Sequence, residues 1–284
     1  MENIKILITE CPRDAMQGIQ EFIPTKDKIA YINLLAEVGF DTIDVGSFVS
    51  HKSMPQMADS ETVFTNINIS KSKNLAIVAN ERGTTDACKF NNIEYIGFPL
   101  SVSETFQKRN TNKSIAEAFE SLKNIQQITN EHNKQTRVYL SMGFGNPYGD
   151  DYSIDLLTSF VQKLLALGIY NIVPSDTTGS SNENLIFEIY SQLHKKFPDL
   201  TFGCHLHAKI EETNQKIEAA FNAGVTHFDT ALLGFGGCPM AADLLTGNIP
   251  TEILVEFFEK KGVDLGLDLE KFEQAKWMAK KIFH

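Results

Sequence analysis

Short apolar segments alternate with longer amphipathic segments along the whole chain. In the longer segments apolar residues recur every three or four positions, as at Leu156, Phe160, Leu164 and Leu167, which is the period of an α-helix with one buried face. The short segments are rich in β-branched or apolar residues and have the length of strands. Eight segments fit that description: Ile4–Thr9, Thr42–Val45, Leu75–Val78, Tyr95–Phe98, Arg137–Ser141, Asn171–Pro174, Thr201–His205 and Thr226–Thr230.

Capping residues mark the ends of several predicted helices. Small polar residues stand where N-terminal caps belong, at Thr25, Ser153 and Ser181. Glycines stand where a helix ends and the chain turns into the next strand, at Gly39, Gly168 and Gly224.

Strand and helix candidates alternate eight times, and one further amphipathic helix follows at about 268–283. Alternation of this kind predicts a parallel sheet with helical crossovers, and eight units favour closure into a barrel. No G-x-G-x-x-G motif follows the first strand, which argues against a dinucleotide-binding fold. We therefore predict a single (β/α)₈ TIM barrel over residues 1–284, with the C-terminal helix packed on it.

Composition and charge narrow the class of protein further. The 284 residues are 42% hydrophobic and 22% charged, with a formal net charge of −10, so we expect no nucleic-acid partner. The chain shows no secretory signal and no apolar run long enough to cross a membrane. The four cysteines are widely separated, which favours reduced thiols, and we expect a cytoplasmic protein without a membrane partner.

Polar residues follow the first predicted strand, at the end where TIM barrels carry their active sites. Arg13 and Asp14 are adjacent there, and Gln17 lies one helical turn further on. A cation beside a carboxylate can combine an oxyanion stabiliser with a metal ligand. The alternative is a surface ion pair.

Two histidines follow the seventh predicted strand. His205 and His207 are two residues apart, so on a strand both imidazoles point to the same face. With carboxylate and amide oxygens added, such a pair favours a divalent metal, Mg²⁺ or Mn²⁺. The alternative is a pair of satisfied core histidines.

A glycine-rich loop with one cysteine follows the eighth predicted strand. Cys238 stands directly after Gly236 and Gly237, and such a loop can close over a substrate and exclude water. A thiol held there can give or take a proton. An ordinary flexible loop is the alternative.

Two further strand ends carry polar groups. Asp44 and Ser47 follow the second strand, and Asp176 follows the sixth. Taken alone, either segment is explained by helix capping and turn formation.

Together these segments resemble the HMG-CoA lyases, which belong to a metal-dependent TIM-barrel superfamily that also contains isopropylmalate and homocitrate synthases. The resemblance runs from about residue 6 to 258. It is densest at Pro12–Gln17, Ser47–Ser50, Pro55–Asp59, Ser101–Phe106 and Gly234–Pro239. The Arg-Asp pair and His-x-His are typical of the superfamily, and the Gly-Gly-Cys-Pro loop points to the lyase branch.

The resemblance implies cleavage of 3-hydroxy-3-methylglutaryl-CoA to acetyl-CoA and acetoacetate, by a protein that we expect to be a homodimer. It implies that the metal is bound by Asp14, His205, His207 and Asn248. It also implies that Arg13 contacts the thioester carbonyl, that Cys238 is the acid–base thiol, and that Asp44 and Asp176 belong to the catalytic network, with Gln17 and Ser47 near the substrate.

Some positions depart from the family pattern. Asp44 stands where a glutamate is common, and Val173 where a serine is common. Ala208 and Lys209 follow the histidines where many relatives have Asp-Thr, which removes groups that orient metal ligands. The proton acceptor stays open among Asp14, Asp176 and a histidine at the metal. Three alternatives to the named activity also stay open: a lyase for another 3-hydroxyacyl-CoA, an acetyl-CoA-dependent acyltransferase, and a non-catalytic acyl-CoA-binding barrel.

Overall fold

Eight parallel strands close into a barrel in which each strand pairs with the next along the chain and β1 pairs with β8. The structure is a computed structural model that describes residues 5–68, 71–237 and 246–283. The strands are β1 Leu7–Glu10, β2 Thr42–Ser47, β3 Lys73–Ile77, β4 Tyr95–Ser101, β5 Gln135–Ser141, β6 Asn171–Asp176, β7 Gly203–Leu206 and β8 His227–Thr230. The predicted (β/α)₈ barrel is confirmed.

Helices surround the barrel, and the described ranges contain more of them than the sequence predicts. Two short helices line strand ends, one after β1 and one after β4, and both fall in segments too short for a clear helical period. The helices are α1 Pro12–Gln17, α2 Thr25–Val38, α3 Ser60–Asn66, α4 Glu81–Cys88, α5 Glu104–Thr111, α6 Ile115–Glu131, α7 Ile154–Ala166, α8 Glu183–Lys196, α9 Thr213–Asn222, α10 Thr251–Lys260 and α11 Leu269–Ile282.

The predicted N-terminal cap is confirmed at one helix and wrong at two. Ser153 accepts a hydrogen bond from the backbone N–H of Leu156 and caps α7, as predicted. Thr25 is the first helical residue of α2 and follows Pro24, so it is not the cap. Ser181 is also not a cap, because Asn182 caps α8. The glycines at 39, 168 and 224 all have positive φ, as the helix-ending turns require.

The C-terminal helix α11 packs on the barrel through aromatic contacts. Phe272 of α11 lies edge-on to Phe40 at a ring-centroid distance of 6.4 Å, and Phe283 lies 5.4 Å from Tyr31 of α2. Phe283 also lies 5.2 Å from the ring of Phe235, in the loop that follows β8. These contacts join the end of the described chain to the loop at the barrel mouth.

A polar layer fills the barrel interior beneath the carboxyl ends of the strands. The guanidinium of Arg137 on β5 donates to the hydroxyl of Thr9 at 3.0 Å and lies 4.6 Å from the ring centroid of Tyr95. The carboxylate of Asp229 on β8 also lies in this layer and is buried. The opposite charges of Arg137 and Asp229 favour each other, which offsets the cost of burying them inside the barrel.

Candidate active site

Arg13 and Asp14 begin helix α1 directly after β1, and both side chains are buried. The guanidinium of Arg13 donates to the carboxylate of Asp44 at 2.6 and 2.9 Å and to Asp14 at 3.1 Å. Gln17 completes the group, because its amide oxygen accepts from Arg13 at 2.8 Å and its nitrogen donates to Asp14 at 2.6 Å. The adjacent cation and carboxylate are therefore not a surface ion pair.

Burial and ion pairing oppose each other in this group. Burial alone would raise the pKa of Asp14, but Arg13 and then the two histidines lower it to about 2. Burial likewise raises the pKa of Asp44, and Arg13 offsets this only in part, so that it stands at about 6. Burial disfavours the charge on Arg13, yet Asp44 and Asp14 hold its pKa above the ordinary value. At neutral pH the group carries two carboxylates and one guanidinium.

His205 and His207 lie beside Asp14, with ring centroids 5.2 Å apart. Each ring is oriented by a hydrogen bond from Nδ1: His205 to the carboxylate of Asp229 at 3.3 Å, and His207 to the carbonyl oxygen of Thr177 at 3.1 Å. Both acceptors lack a proton to give, so Nδ1 is the donor and Nε2 keeps its lone pair. Nε2 of His207 is buried and has no hydrogen-bond partner among the described residues.

The electrostatics of the two histidines differ. Burial lowers the pKa of His207 to about 4, and the neighbouring His205 adds to this effect. Burial acts the same way on His205, but the hydrogen bond and charge of Asp229 outweigh it and raise its pKa. Asp229 was not singled out from the sequence. Its position as a carboxylate in a short buried strand was the signal that could have identified it.

Asn248 reaches the same place from the far side of the glycine-rich loop. The backbone of Asn248 forms an isolated β-bridge with that of His207, and its side-chain Nδ2 donates to the Asp14 carboxylate at 2.6 Å. Its Oδ1 is buried and has no hydrogen-bond partner within the described ranges. Because its nitrogen is hydrogen-bonded and its oxygen has no donor among the described residues, the Asn248 amide can offer that oxygen to a cation.

These groups form a candidate metal centre. In the described part of the chain, ligand atoms of Asp14, His205 and His207 lie within 4.8 Å of one another. Nε2 of His207 and Oδ1 of Asn248 add two acceptors that no donor among the described residues satisfies. Two imidazoles, a carboxylate and an amide oxygen fit a divalent cation.

The loop before Cys238 contacts this centre, although Cys238 itself lies outside the described residues. The backbone N–H of Gly237 lies 3.4 Å from the Asp14 carboxylate. Gly236 has a φ of +99°, and a Cβ there would stand 2.6 Å from Nδ2 of Asn248 and 2.9 Å from the carbonyl oxygen of Asp14. Only glycine permits so close an approach of loop and centre.

Asp176 and Ser47 lie apart from the Arg13–Asp14 group. The Asp176 carboxylate accepts from the hydroxyl of Ser181 at 2.5 Å and from Nζ of Lys216 at 3.4 Å. Ser47 accepts from the backbone N–H of Val49 at 3.3 Å and lines a cavity of about 380 Å³ between the loops that follow β2 and β3.

Lys216 of α9 is the second residue that sequence reasoning missed. Its ammonium group is buried, and besides Asp176 it donates to the carbonyl oxygens of Gly179 and His207, both at 2.9 Å. It thereby joins the loop after β6 to the end of β7. Its position could have identified it, because Lys216 lies on the buried face of the helix with Thr213, Ile217 and Ala220.

No helix among the described residues is both long and apolar enough to cross a membrane. The three cysteines at 11, 88 and 204 are free thiols, and all three are buried.

Comparison with known proteins agrees with this geometry. Residues 3–278 match the family model described as HMGL-like. The chain is 33% identical over 281 residues to a hydroxymethylglutaryl-CoA lyase of Bacillus subtilis, covering 98% of this chain and 93% of that protein. It is 31% identical over 265 residues to the mitochondrial hydroxymethylglutaryl-CoA lyase of Mus musculus, covering 93% and 81% of the two chains.

A solved structure shows the same similarity. The HMG-CoA lyase of Acinetobacter baumannii, in complex with coenzyme A and 3-methylmalate, superposes with a TM-score of 0.93 at 31% identity. The match covers 100% of this chain and 92% of that one.

Proposed function

Because this chain belongs to the HMGL-like family, we propose that it is a carbon–carbon lyase that cleaves 3-hydroxy-3-methylglutaryl-CoA to acetyl-CoA and acetoacetate. The observation that carries the proposal is the group formed by buried Arg13, Asp14 and His207 with half-buried His205 at the carboxyl ends of the barrel strands. Relatives with this barrel carry the same activity in their names at 31–33% identity over nearly the whole chain.

The reaction needs a divalent cation, and the donor set fits one. We assign the ion to Asp14, His205, His207 and Asn248, because two of these residues present buried acceptors without partners. We propose Mg²⁺ or Mn²⁺, since the carboxylate and amide oxygens favour a hard cation. Such an ion polarises the substrate's C3 hydroxyl group and lowers its pKa.

Arg13 is assigned to the thioester oxygen. A guanidinium has five N–H donors, and four are used in the bonds to Asp44, Asp14 and Gln17 among the described residues. One donor on Nη2 stays available for the oxygen on which enolate charge develops. A preorganised donor of this kind contributes about 3–4 kcal/mol to stabilisation of the transition state.

The hydroxyl proton has three candidate acceptors, and the contacts argue against Asp176. Its carboxylate already accepts hydrogen bonds from Ser181 and Lys216. We assign the proton to Asp14, because the Nδ1 proton of His205 is held by Asp229 and its one lone pair, on Nε2, is given to the cation. Asp176 then acts on the site through Lys216 and the backbone of His207.

Cys238 is proposed as the acid that protonates the acetyl-CoA enolate. The proposal rests on the contact of Gly236 and Gly237 with Asp14, which brings the preceding chain to the centre. We expect Cys238→Ala to lose most turnover and to keep its Mg²⁺ affinity, measured by titration calorimetry. Full turnover in this variant would remove the thiol from the mechanism.

Gln17 and Ser47 are proposed to contact the substrate, Gln17 beside Arg13 and Ser47 at the cavity near the barrel mouth. We further propose that residues 1–284 form one catalytic domain, that the protein is a cytoplasmic homodimer, and that its partner is an acyl-CoA. Leucine degradation is one pathway that consumes this substrate.

A substrate panel separates the lyase from its alternatives. The protein with Mg²⁺ is incubated with HMG-CoA, with other branched 3-hydroxyacyl-CoA thioesters, and with acetyl-CoA plus 2-oxo acids. We expect the highest kcat/KM for HMG-CoA, with acetoacetate as product. Citrate-like products from acetyl-CoA without acetoacetate from HMG-CoA would establish an acyltransferase, and faster turnover of another thioester would replace HMG-CoA as the substrate.

A further inference from the structure

A second group of metal-ligating side chains lies in the barrel interior. Ligand atoms of Cys11, His205 and Asp229 all lie within 4.8 Å of one another. Cys11 is 1% exposed and Asp229 is 3% exposed, while His205 is half-buried, so only His205 of the group reaches the site at the barrel mouth. Cys11 and Asp229 have no part in the reaction proposed above beyond the hydrogen bond from His205 to Asp229.

Strand register brings these three residues together. His205 on β7 is the register partner of Asp229 on β8, and Asp229 is in turn the partner of Thr9 on β1. Cys11 follows Thr9 by two residues, and its backbone N–H continues the pairing by donating to Thr230 at 2.8 Å. Residues two apart share a face of a strand, so rigid elements of three adjacent strands position the group.

The spacing suits a tetrahedral ion. Nδ1 of His205 and Oδ2 of Asp229 are 3.3 Å apart. Two ligand atoms that each lie about 2.0–2.1 Å from a tetrahedral zinc are themselves about 3.3–3.4 Å apart. These two atoms therefore have the separation of two ligands of a tetrahedral zinc, and the thiol of Cys11 lies within 4.8 Å of both as a third ligand.

The donor set distinguishes this group from the catalytic centre. A cysteine thiolate is a soft ligand that selects zinc-like ions and is a poor ligand for Mg²⁺. Among the described residues, the hydrogen-bond partner of the thiol is the carbonyl oxygen of Thr9, at a long 3.6 Å.

Charge around Cys11 favours a cation. Burial raises the pKa of the Cys11 thiol, and the carboxylates of Asp229, Asp44, Asp14 and Glu10 raise it further. Of these groups Asp229, Asp44 and Asp14 are charged at neutral pH and attract a divalent ion, whose binding displaces the thiol proton. Arg137 and Arg13 oppose this attraction, but the three charged carboxylates outnumber the two guanidinium groups.

We propose that Cys11, His205 and Asp229 form a second metal site for thiophilic cations such as Zn²⁺, and that its occupation excludes the catalytic ion. The two sites share His205, and a neutral imidazole has one lone pair to give. Binding through Nδ1 moves the ring proton to Nε2, which then cannot bind the ion at Asp14 and His207. Zn²⁺ at the second site is therefore inhibitory.

Co²⁺ spectroscopy tests the site directly, because a thiolate bound to Co²⁺ gives a near-ultraviolet charge-transfer band. The background is Asp14→Asn, which removes a carboxylate ligand of the catalytic centre and leaves the second group intact. In this background we expect the band on addition of Co²⁺, its loss in Cys11→Ala and in Cys11→Ser, and its retention in Cys88→Ala, which removes a different buried thiol.

A Zn²⁺ titration against a chromophoric chelator measures the Zn²⁺ affinity of the second site. We expect Cys11→Ala in the same background to weaken Zn²⁺ affinity about 10- to 100-fold, the scale for loss of a partner at a metal site. Absence of the band, or its survival in Cys11→Ala and Cys11→Ser, would overturn the proposal. Neither readout uses HMG-CoA, and Mg²⁺-supported acetoacetate formation by Cys11→Ala, expected near the wild-type rate, reports on the lyase separately.

Discussion

Asp44 accepts from Arg13 through only one of its two carboxylate oxygens, and this contact orients the guanidinium group. Both Nε and Nη2 donate to Oδ2, at 2.9 and 2.6 Å. Oδ1 of Asp44 is buried and has no hydrogen-bond partner in the described chain. Asp44 therefore binds Arg13 with one oxygen only, and burial raises the pKa of Asp44 to about 6.

That raised pKa predicts a loss of activity on the acid side. As pH falls through about 6, Asp44 takes up a proton and releases its charge pairing with Arg13, so kcat/KM at saturating Mg²⁺ should fall. We expect Asp44→Asn to lower kcat/KM at pH 8 about 10- to 100-fold and to lose this acid limb. Asp44→Glu is the matched control and should keep a limb. An unchanged pH profile in Asp44→Asn would show that another group titrates there.

At this scale the sequence predicted the central residues and missed those that support them. Asp14, His205, His207 and Asn248 converge as the resemblance implies, because strand ends of a barrel meet at one mouth. Asp229 was missed because pairing between β7 and β8 depends on register, which a single sequence does not specify.

Helix α9 contributes to the site through one buried lysine. Lys216 donates to the carbonyl oxygens of His207 and Gly179 and lies 3.4 Å from Asp176. It therefore holds the end of β7 against the loop after β6.

Removing the ammonium of Lys216 should loosen the metal centre. Lys216→Met leaves Asp176 and two carbonyl oxygens without their buried donor, and one unsatisfied buried group costs about 1–3 kcal/mol. We expect Mg²⁺ affinity to fall about 10-fold by titration calorimetry, with kcat reduced less when Mg²⁺ is saturating.

Lys209→Met, on an exposed lysine nearby, is the control and should bind Mg²⁺ as the wild type does. A Lys216→Met protein with lower thermal stability but unchanged Mg²⁺ affinity would assign Lys216 a structural role alone.

Element boundaries show why periodicity alone stops short of the site. The eight strand candidates all overlap observed strands, although Ile4 of the first candidate lies outside the described residues. Their ends differ, since β6 runs on to Asp176 and β7 begins at Gly203 and ends at Leu206. Ser181 reads as a cap in the sequence but binds the carboxylate of Asp176 instead. Contacts with distant parts of the chain determine where these elements end. The local spacing of apolar residues does not report such contacts.

Closure of the barrel joins distant parts of the chain at Glu10. Its carboxylate accepts from the backbone N–H of Leu232 at 2.7 Å and from the hydroxyl of Thr251 at 2.6 Å. The side chain is fully buried, and burial raises its pKa from 4.5 to about 8 despite these bonds. The native protein therefore keeps a proton that the unfolded chain releases near pH 4.5.

Stability should depend on pH accordingly. Between about pH 4.5 and 8 the native state binds more protons at Glu10 than the unfolded state, so this residue's contribution to the free energy of unfolding falls as pH rises. The change is on the order of 4–5 kcal/mol over that window. We expect Glu10→Gln, which cannot ionise, to flatten this slope in urea unfolding followed from pH 5 to 9.

Glu211→Gln, on an exposed residue, should leave the slope unchanged. An equal slope in wild type and Glu10→Gln would mean that Glu10 is ionised throughout.

The architecture of the whole molecule was predictable because eight repeats of one unit restrict the topology to very few solutions. For α11 the sequence predicted only an amphipathic helix that packs on the barrel. It did not predict that this helix lies against α2. Its contacts through Phe272 and Phe283 depend on tertiary shape.

Formation of acetoacetate from HMG-CoA, with and without a chelator, tests the central claim most directly. The purified protein is incubated with HMG-CoA and Mg²⁺, and acetoacetate and acetyl-CoA are quantified over time. We predict equal amounts of both products, loss of turnover with EDTA, and recovery when Mg²⁺ or Mn²⁺ is added in excess. No acetoacetate under any of these conditions, or undiminished turnover in EDTA, would contradict a metal-dependent lyase.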